Sequence, residues 1–469
     1  MPSDRPDVIS RRAWTVLVLA GVGSMLPAIN LSVMYVVYPE IARAFPSVTS
    51  AQLSWILNGY TIVSAATLVL GGVFSDRTGR KRSMLIGAAL FGGGSVLCAL
   101  APNVAVIIAG RFVIGIAASL VVTASTSLAL REFPASRRST AFGVLSSFGG
   151  IAAAAGPSLG AIIVDLGGWR WAFWLNVPIA AIVIVGGAKV FAESRDESVR
   201  HFPDPVGAAV LMLGVGAGIL ALVQSPTWGW LDGRTDGCLA LSAFLLAVLI
   251  ARSARHRAPI VELTLFRHRN FSLLNLSSFL VSVGWFGMYF VLIQFLRNSW
   301  GYSLLEAGLL VTPIPFGAGV LAPLGGRVAD RVGYRSMLAV GAAAFVIGAL
   351  WLIVMVDETP DVPMFMVGIV FVAIGTGLVF PSVQGGTVVG MAPDRYAMAA
   401  GLNQAIQRVG SAIGNALGVV FVSSVGASAA FDRIYLVLLA ASLLILPAAF
   451  ALRSGTELSL PRAQPVSAR

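Results

Sequence analysis

The feature that most constrains this sequence is a series of long apolar runs separated by short polar connections. A bilayer core is about 30 Å thick, so a helix that crosses it needs about 20 mostly apolar residues. Fourteen segments approach this length, and no connection is long enough for a soluble domain. The predicted spans are residues 13–37, 52–74, 83–101, 104–130, 139–165, 171–191, 205–225, 237–252, 271–295, 304–325, 336–356, 363–387, 397–422 and 433–452. The expected fold class is an all-α integral membrane protein with fourteen transmembrane helices.

The charged residues support this interpretation and indicate an orientation. Only 11% of the residues are charged, whereas soluble proteins carry about a quarter. The net charge of +11 arises from cations in short connections, which favours contact with anionic lipid headgroups over nucleic acid. Of the 32 Lys and Arg residues, 25 fall at the termini or in alternate connections on the same side, and five fall in the others. The positive-inside rule therefore predicts a multi-pass protein of the cell (plasma) membrane with both termini in the cytoplasm.

An internal repeat predicts how the spans are grouped. The stretch GVFSDRTGRKR, residues 72–82, returns as GGRVADRVGYR at residues 325–335. An offset of 254 residues relates Asp76 to Asp330, Arg77 to Arg331, Gly79 to Gly333, Gly156 to Gly410 and Gly160 to Gly414. This offset spans eight helices, which predicts two pseudo-symmetric six-helix bundles in parallel order plus two extra linking helices. The expected divisions are residues 1–192, a linker with spans seven and eight at 193–260, residues 261–452, and a cytoplasmic tail at 453–469.

Several motifs resemble those of the major facilitator superfamily, in particular its fourteen-span branch of drug:proton antiporters. The matching residues are Gly72, Asp76, Arg77, Gly79 and Arg80 between spans two and three, Arg111 and Gly115 in span four, and Gly156, Pro157 and Gly160 in span five. The run WRWAFWLNVPI at residues 169–179 is similar to the entry into span six of that branch. The match departs at Ile114, where a glutamine is usual, and at Ala161, which replaces a glycine.

The resemblance implies a secondary active exporter of amphipathic, drug-like organic compounds that works by alternating access and proton antiport. Asn30 occupies the position of an aspartate in the first span of that branch, and Tyr35 that of an asparagine. An asparagine cannot take up and release a proton. A facilitator, or a lipid or metabolite exporter without proton coupling through span one, therefore stays open as an alternative.

The loop between spans two and three is expected to act as a conformational latch. Its residues Gly72, Asp76, Arg77, Gly79 and Arg80 would hold the cytoplasmic side closed, with Asp330 and Arg331 as a second copy. We expect the Asp76 carboxylate to cap a helix or to pair with Arg131, Arg137 or Arg138. The two glycines would permit a close helix contact and a sharp turn.

Coupling and gating roles are predicted for a buried arginine and for stripes of small residues. Arg111 lies inside a span, where ionisable residues are usually functional. Gly156 with Gly160, and Gly410 with Gly414, recur every four residues and favour close helix contacts. We expect these stripes to pack between the two halves, while packing within one half stays the alternative. Pro157, next to Gly156, is included among the coupling residues.

An amphipathic substrate cavity is predicted from polar and aromatic residues inside the spans. The candidates are Asn30, Tyr35, Trp55, Tyr60, Trp285, Tyr289, Gln294, Gln404 and Arg408. Arg408 can alternatively extend to the membrane surface. Glu40, Asp165 and Glu306 lie near span ends and are poor candidates for a proton site at the membrane centre.

Other classes of function are disfavoured by the sequence. The three histidines lie in connections, and no metal-ligand spacing or nucleotide-binding motif is present, so we expect no enzyme activity, no cofactor and no metal site. The expected partners are a small amphipathic substrate, membrane lipids and possible protons. A membrane receptor or scaffold that does not transport stays a remote alternative.

Overall fold

The computed structural model describes residues 10–133, 138–195, 204–256, 258–317, 320–321, 333–387 and 396–452. Within these residues the secondary structure is helical. The first twelve helices are α1 (Arg11–Ala44), α2 (Ser50–Thr78), α3 (Arg80–Ala99), α4 (Val104–Arg131), α5 (Arg138–Gly167), α6 (Trp171–Val190), α7 (Pro205–Trp228), α8 (Gly233–Ser253), α9 (Arg269–Asn298), α10 (Leu304–Gly317), α11 (Tyr334–Met355) and α12 (Val362–Gly386).

The last helical segment, Tyr396–Ala451, contains two helices. Its residue Gly426 has φ 82° and ψ 172°, which interrupts the helical backbone. We call the part before this glycine α13 and the part after it α14. Positive φ is accessible to glycine at little cost because glycine has no Cβ atom. The break therefore separates the thirteenth and fourteenth spans where the sequence predicts a connection.

The fourteen predicted spans correspond to these fourteen helices. Eleven described helices are long and apolar enough to cross a membrane, with α13 and α14 counted as one, and α2 brings the number to twelve. The described part of α10 is shorter but also apolar. The prediction of an all-α membrane fold is confirmed.

Local sequence signals set the helix ends. The Thr49 hydroxyl accepts a hydrogen bond from the backbone N–H of Gln52, whose side chain accepts one from the backbone of Thr49, which forms a capping box at the start of α2. Asn103 caps α4 through the N–H of Val106 at 3.0 Å. Gly79 has φ 122° and ends α2 directly before α3 begins. This confirms the sharp turn that was predicted at Gly79.

Consecutive helices alternate in direction, so the connections fall at two ends of the bundle. We call the end that carries the α2–α3, α4–α5, α6–α7 and α8–α9 connections the basic end, because most of the described Lys and Arg residues lie there. We call the end that carries the α1–α2 and α3–α4 connections the opposite end.

The small-residue stripes pack within each half rather than between halves. A Cβ atom on Gly160 would lie 3.2 Å from Cγ1 of Val33 in α1, and one on Gly156 would collide with Ser32 of the same helix. In the other half, a Cβ atom on Gly410 would lie 2.8 Å from the carbonyl oxygen of Phe279 in α9. The expected packing between halves was therefore wrong at these glycines, because they seat α5 against α1 and α13 against α9.

The neighbouring face of α5 does reach the other half. The carbonyl oxygen of Pro157 would lie 2.9 Å from a Cβ atom on Gly308 of α10. The hydroxyls of Ser158 and Thr312 are 3.0 Å apart across the same contact. Close approach of α5 and α10 thus depends on Gly308, which was not singled out in the sequence.

The two extra helices pack on each other, and α7 lies against both halves. Helix α7 contacts α2 of the first half and the α13–α14 segment of the second. Arg252 at the end of α8 donates two hydrogen bonds to the Asp204 carboxylate before α7, one of them at 2.8 Å. This ion pair joins the two ends of the hairpin at the basic end.

Candidate functional site

The side chain of Arg111 forms the centre of a buried polar cluster in the first half. It is fully buried, and its Nε donates a hydrogen bond to the carbonyl oxygen of Ile56 in α2 at 2.6 Å. Its Nη1 donates to Oδ1 of Asn30 in α1. Its Cζ lies 4.5 Å from the centroid of the Tyr60 ring, a cation–π distance. Three of the predicted site residues, Arg111, Asn30 and Tyr60, are therefore in contact with one another through the Arg111 side chain.

The guanidinium of Arg111 has no carboxylate partner among the described residues. The ion pairs in this part of the chain involve other arginines. All three of its contacts are neutral groups, and its Nη2 atom is buried without a hydrogen-bond partner. The Tyr60 hydroxyl is likewise buried without a described partner. The cluster therefore contains a positive charge and two unused hydrogen-bond donors.

A second cluster of predicted residues joins the two halves through aromatic rings. Tyr35 in α1 donates a hydrogen bond from its hydroxyl to Oδ1 of Asn415 in α13 at 2.9 Å. Its ring meets Tyr289 of α9 edge to face at 5.3 Å, and Tyr289 stacks on Trp285 at 5.0 Å. The Trp285 indole donates to Thr376 of α12 at 2.9 Å. These residues form a mixed polar and aromatic wall where the halves touch.

An ion pair beyond this wall closes the contact at the opposite end. Arg297 of α9 donates a hydrogen bond to Glu40 of α1 at 2.6 Å, and the two side chains are only 10% and 21% exposed. Arg43 also bonds Glu40, but it is 61% exposed. The rings of Tyr38 and Phe290 meet at 5.2 Å nearby. This pair was not predicted from the sequence, since Glu40 and Arg297 are 257 residues apart.

Arg408 makes a different contact between the halves. It is half-buried, and its Nη1 donates a hydrogen bond to the hydroxyl of Ser64 in α2 at 2.9 Å. It therefore faces the other half rather than extending to the membrane surface. No ion pair to Arg408 is present among the described residues.

An amide network next to Arg408 was also missed. Asn403 donates hydrogen bonds to Asn275 at 3.1 Å and to Ser278 at 3.0 Å, both in α9. Gln407 donates to Asn403 at 2.8 Å and accepts from Gln384 of α12 at 3.4 Å. The spacing of Asn403 and Gln407, which places them on one helix face, is the signal that indicates this network.

The remaining cavity candidates make separate contacts. The indole of Trp55 approaches α7, since its Cη2 lies 3.8 Å from a Cβ atom placed on Gly216. That Trp55 lines the cavity stays a prediction. Gln294 and Gln404 are half-buried.

The predicted latch is built differently from the expectation. Asp76 pairs with Arg80 one turn later at 3.0 Å, and not with Arg131, because the turn at Gly79 brings Arg80 back over the end of α2. The Glu193 carboxylate after α6 accepts hydrogen bonds from the backbone N–H groups of Lys81 at 3.1 Å and Arg82 at 3.2 Å. It thus caps the start of α3, where the helix dipole favours negative charge.

The close helix contact expected at Gly72 of the latch motif lies one residue earlier, at Gly71. A Cβ atom on Gly72 would meet Thr123 at an ordinary 3.7 Å, whereas one on Gly71 would lie 3.3 Å from the Ser119 carbonyl oxygen. The close contact between α2 and α4 therefore depends on Gly71 rather than on Gly72. Arg77 is exposed. The second copy of the motif, at Asp330 and Arg331, lies outside the described residues.

Comparison with known proteins places this architecture in a family. Residues 17–271 and 274–467 match the model of the Major Facilitator Superfamily. The chain is 30% identical to Multidrug resistance protein Stp of Mycobacterium tuberculosis, over 87% of this chain and 76% of that protein. It is 30% identical to the Tetracenomycin C resistance and export protein of Streptomyces glaucescens, over 88% and 77%.

Solved structures agree on the fold. The crystal structure of a POT family transporter in complex with a thioalcohol conjugated peptide has a TM-score of 0.69 at 15% identity and covers 92% of this chain and 95% of that one. At this identity the likeness concerns the fold alone. Taken with the family match over nearly the whole sequence, these findings show that the chain belongs to the Major Facilitator Superfamily.

Proposed function

We propose that this protein is a secondary transporter that exports amphipathic, drug-like organic compounds by alternating access between its two six-helix halves. The names of its relatives, a multidrug resistance protein and an antibiotic resistance and export protein, support this class of substrate. The positive-inside rule supports placing the basic end and both termini in the cytoplasm. Residues 1–192 and 261–452 are then the moving halves, and residues 193–260 link them.

The observation that carries the proposal is the set of contacts between the halves. The bonds Tyr35–Asn415 and Glu40–Arg297 join α1 to the second half near the opposite end. We propose that these bonds belong to a state closed towards the outside and break when the halves rock.

The glycine stripes and the latch receive roles in this cycle. We propose that Gly156, Gly160, Gly410 and Gly414 keep each half rigid, so that the halves move as units. The loop from Asp76 to Arg82, held by Glu193, would fix the basic end of the first half. Arg111 and Arg408 would take part in gating or substrate contact. Neither role requires catalytic chemistry.

Proton antiport and a facilitator are the two versions of this function. Asn30 favours the facilitator, since it places an amide where the related antiporters carry a proton-binding carboxylate. The experiment uses the purified protein in liposomes with a trapped pH-sensitive dye and a panel of amphipathic compounds. Proton flux that requires substrate would establish antiport. Substrate flux that ignores the pH gradient would establish a facilitator, and no flux with any compound would overturn transport.

A further inference from the structure

We propose that Arg111 binds the negatively charged head group of the substrate, and that the substrates are therefore amphipathic organic anions. This inference rests on the transport function proposed above and names its substrate class. The observation behind it is a fully buried guanidinium whose described partners are all neutral.

The charge balance at Arg111 is incomplete. The amide oxygen of Asn30, the carbonyl oxygen of Ile56 and the ring face of Tyr60 offer only partial negative charge. A buried cation without a full counter-charge is unfavourable, and intramembrane arginines usually pair or face a polar cavity. An anionic substrate would supply the missing charge during the part of the cycle in which it is bound.

The local geometry also provides unused donors for an anion. Nη2 of Arg111 and the hydroxyl of Tyr60 are both buried without a described hydrogen-bond partner. The Tyr60 ring lies directly under the guanidinium. A carboxylate or sulfonate has several acceptor oxygens and binds guanidinium groups through charge-assisted hydrogen bonds. These two donors are therefore suited to one oxyanion.

We propose that the aromatic residues between the halves bind the apolar body of such a compound. Helix α1 carries both Asn30 and Tyr35, and Tyr35 leads to the rings of Tyr289 and Trp285. In the other half, Arg408 contributes a second cation inside a span. Each half thus contributes one arginine within a span, Arg111 and Arg408.

An anionic substrate also explains why the first span has no proton-binding carboxylate. With the basic end in the cytoplasm, a membrane potential of about 100 mV, negative inside, favours outward movement of one negative charge by about fiftyfold. Export of an organic anion therefore needs no proton-binding carboxylate at position 30. The asparagine and the unpaired arginine have one common explanation.

The test compares three probes with the same pyrene body: 1-pyrenebutyrate, 1-pyrenebutanol and 1-pyrenebutyl-trimethylammonium. Binding to the purified full-length protein is measured by equilibrium dialysis. We expect the anion to bind at least about tenfold more tightly than the neutral and cationic probes, equivalent to about 1.4 kcal/mol, because only the anion can pair with the buried guanidinium. Equal binding of the three probes, or tighter binding of the cation, would overturn the inference.

Three variants identify the residue responsible. Asn30→Asp is nearly isosteric and gives Arg111 an internal carboxylate, so it should remove the preference for the anion. Arg111→Gln should remove it as well, whereas Arg111→Lys should retain it with weaker binding. Gel filtration monitors folding. If Arg111→Gln fails to fold, the Asn30→Asp variant still tests whether Arg111 is responsible for the preference for the anion. A preference that persists in Asn30→Asp would contradict the assignment to Arg111.

Flux in liposomes separates this inference from the transport function. A potassium diffusion potential is imposed without a pH gradient, and we expect movement of pyrenebutyrate away from the basic end to rise with a potential negative on that side. Equal flux of all three probes retains export and overturns the anion preference. Selective binding that Asn30→Asp removes, without flux of any probe, supports the anion site and overturns transport.

Discussion

Arg111 and Arg252 are two arginines of one chain with opposite charge environments. Arg252 lies at the basic end and pairs with the Asp204 carboxylate, whereas Arg111 lies inside the bundle and bonds the Asn30 amide. Full pairing stabilises the α7–α8 hairpin, where no change of partner is needed. Incomplete pairing leaves a buried positive charge that an anionic ligand can neutralise. The environment of Arg111 therefore indicates a functional role, and that of Arg252 a structural role.

Removing the charge of Arg111 gives the largest expected effect. Arg111→Met should lower transport by at least about a hundredfold, because hydrogen bonds to charged groups contribute about 1.5–3 kcal/mol each. Its melting temperature should fall by only a few degrees, since the loss of the hydrogen bonds to Ile56 and Asn30 is offset by removal of an unpaired buried charge. Flux in liposomes and thermal unfolding measure the two effects. A variant that loses both stability and transport would indicate a structural arginine instead.

The Glu40–Arg297 pair also joins an arginine to a carboxylate, but it lies between the two halves, which move relative to each other during transport. Glu40→Gln should open the opposite end, since loss of a charge-assisted bond worth about 1.5 kcal/mol shifts the open-to-closed ratio roughly tenfold. The distance between the two halves at the opposite end is measured between spin labels at Ser47→Cys and Asn298→Cys. The background carries Cys98→Ser and Cys238→Ser. The control Arg43→Gln removes only the exposed partner and should change it little. Equal distances in the Glu40→Gln and parent proteins would contradict a closing role.

Arg408 is intermediate between the two extremes, because its one described bond is to a neutral hydroxyl of the other half. Ser64→Ala removes that bond and should change the rate of transport roughly fivefold, the equivalent of about 1 kcal/mol. The direction reports which step is limiting: a faster rate means that breaking this contact limits the cycle. A control at Ser158→Ala tests another contact between the halves, at Thr312. An unchanged rate in Ser64→Ala would exclude this bond from the limiting step.

Asp204→Asn reproduces the Arg111 arrangement at Arg252 and gives the smallest expected effect. The hydrogen bond from Arg252 holds the pKa of Asp204 below its ordinary value, which is about 3.9. A lowered pKa adds stability that is complete above the ordinary value and is lost as pH falls through the folded-state value. The melting temperature of Asp204→Asn should therefore lie a few degrees below the parent at pH 7, and the difference should vanish in strong acid. A difference that is constant with pH would contradict the ion pair.

Much of the fold follows from the sequence because its signals are local. Span length, basic connections and the glycine at position 79 each act through neighbouring residues and the bilayer. The candidate site was only partly predictable. Arg111, Asn30, Tyr60 and Tyr35 were identified as polar or aromatic groups within spans, but Glu40 was dismissed for its position near a helix end. Asn403 was passed over, while the neighbouring Gln404 was chosen.

The sequence by itself determined the fourteen spans, the repeat of 254 residues and the presence of an arginine inside the fourth span. Only the tertiary structure decided which partner each polar group takes. Arg111 meets Asn30 over 81 residues, and Tyr35 meets Asn415 over 380. Such pairs depend on how helices rotate and pack, which side-chain shape determines. Hydropathy predicts that a residue lies within a span, but it does not predict which helix that residue contacts.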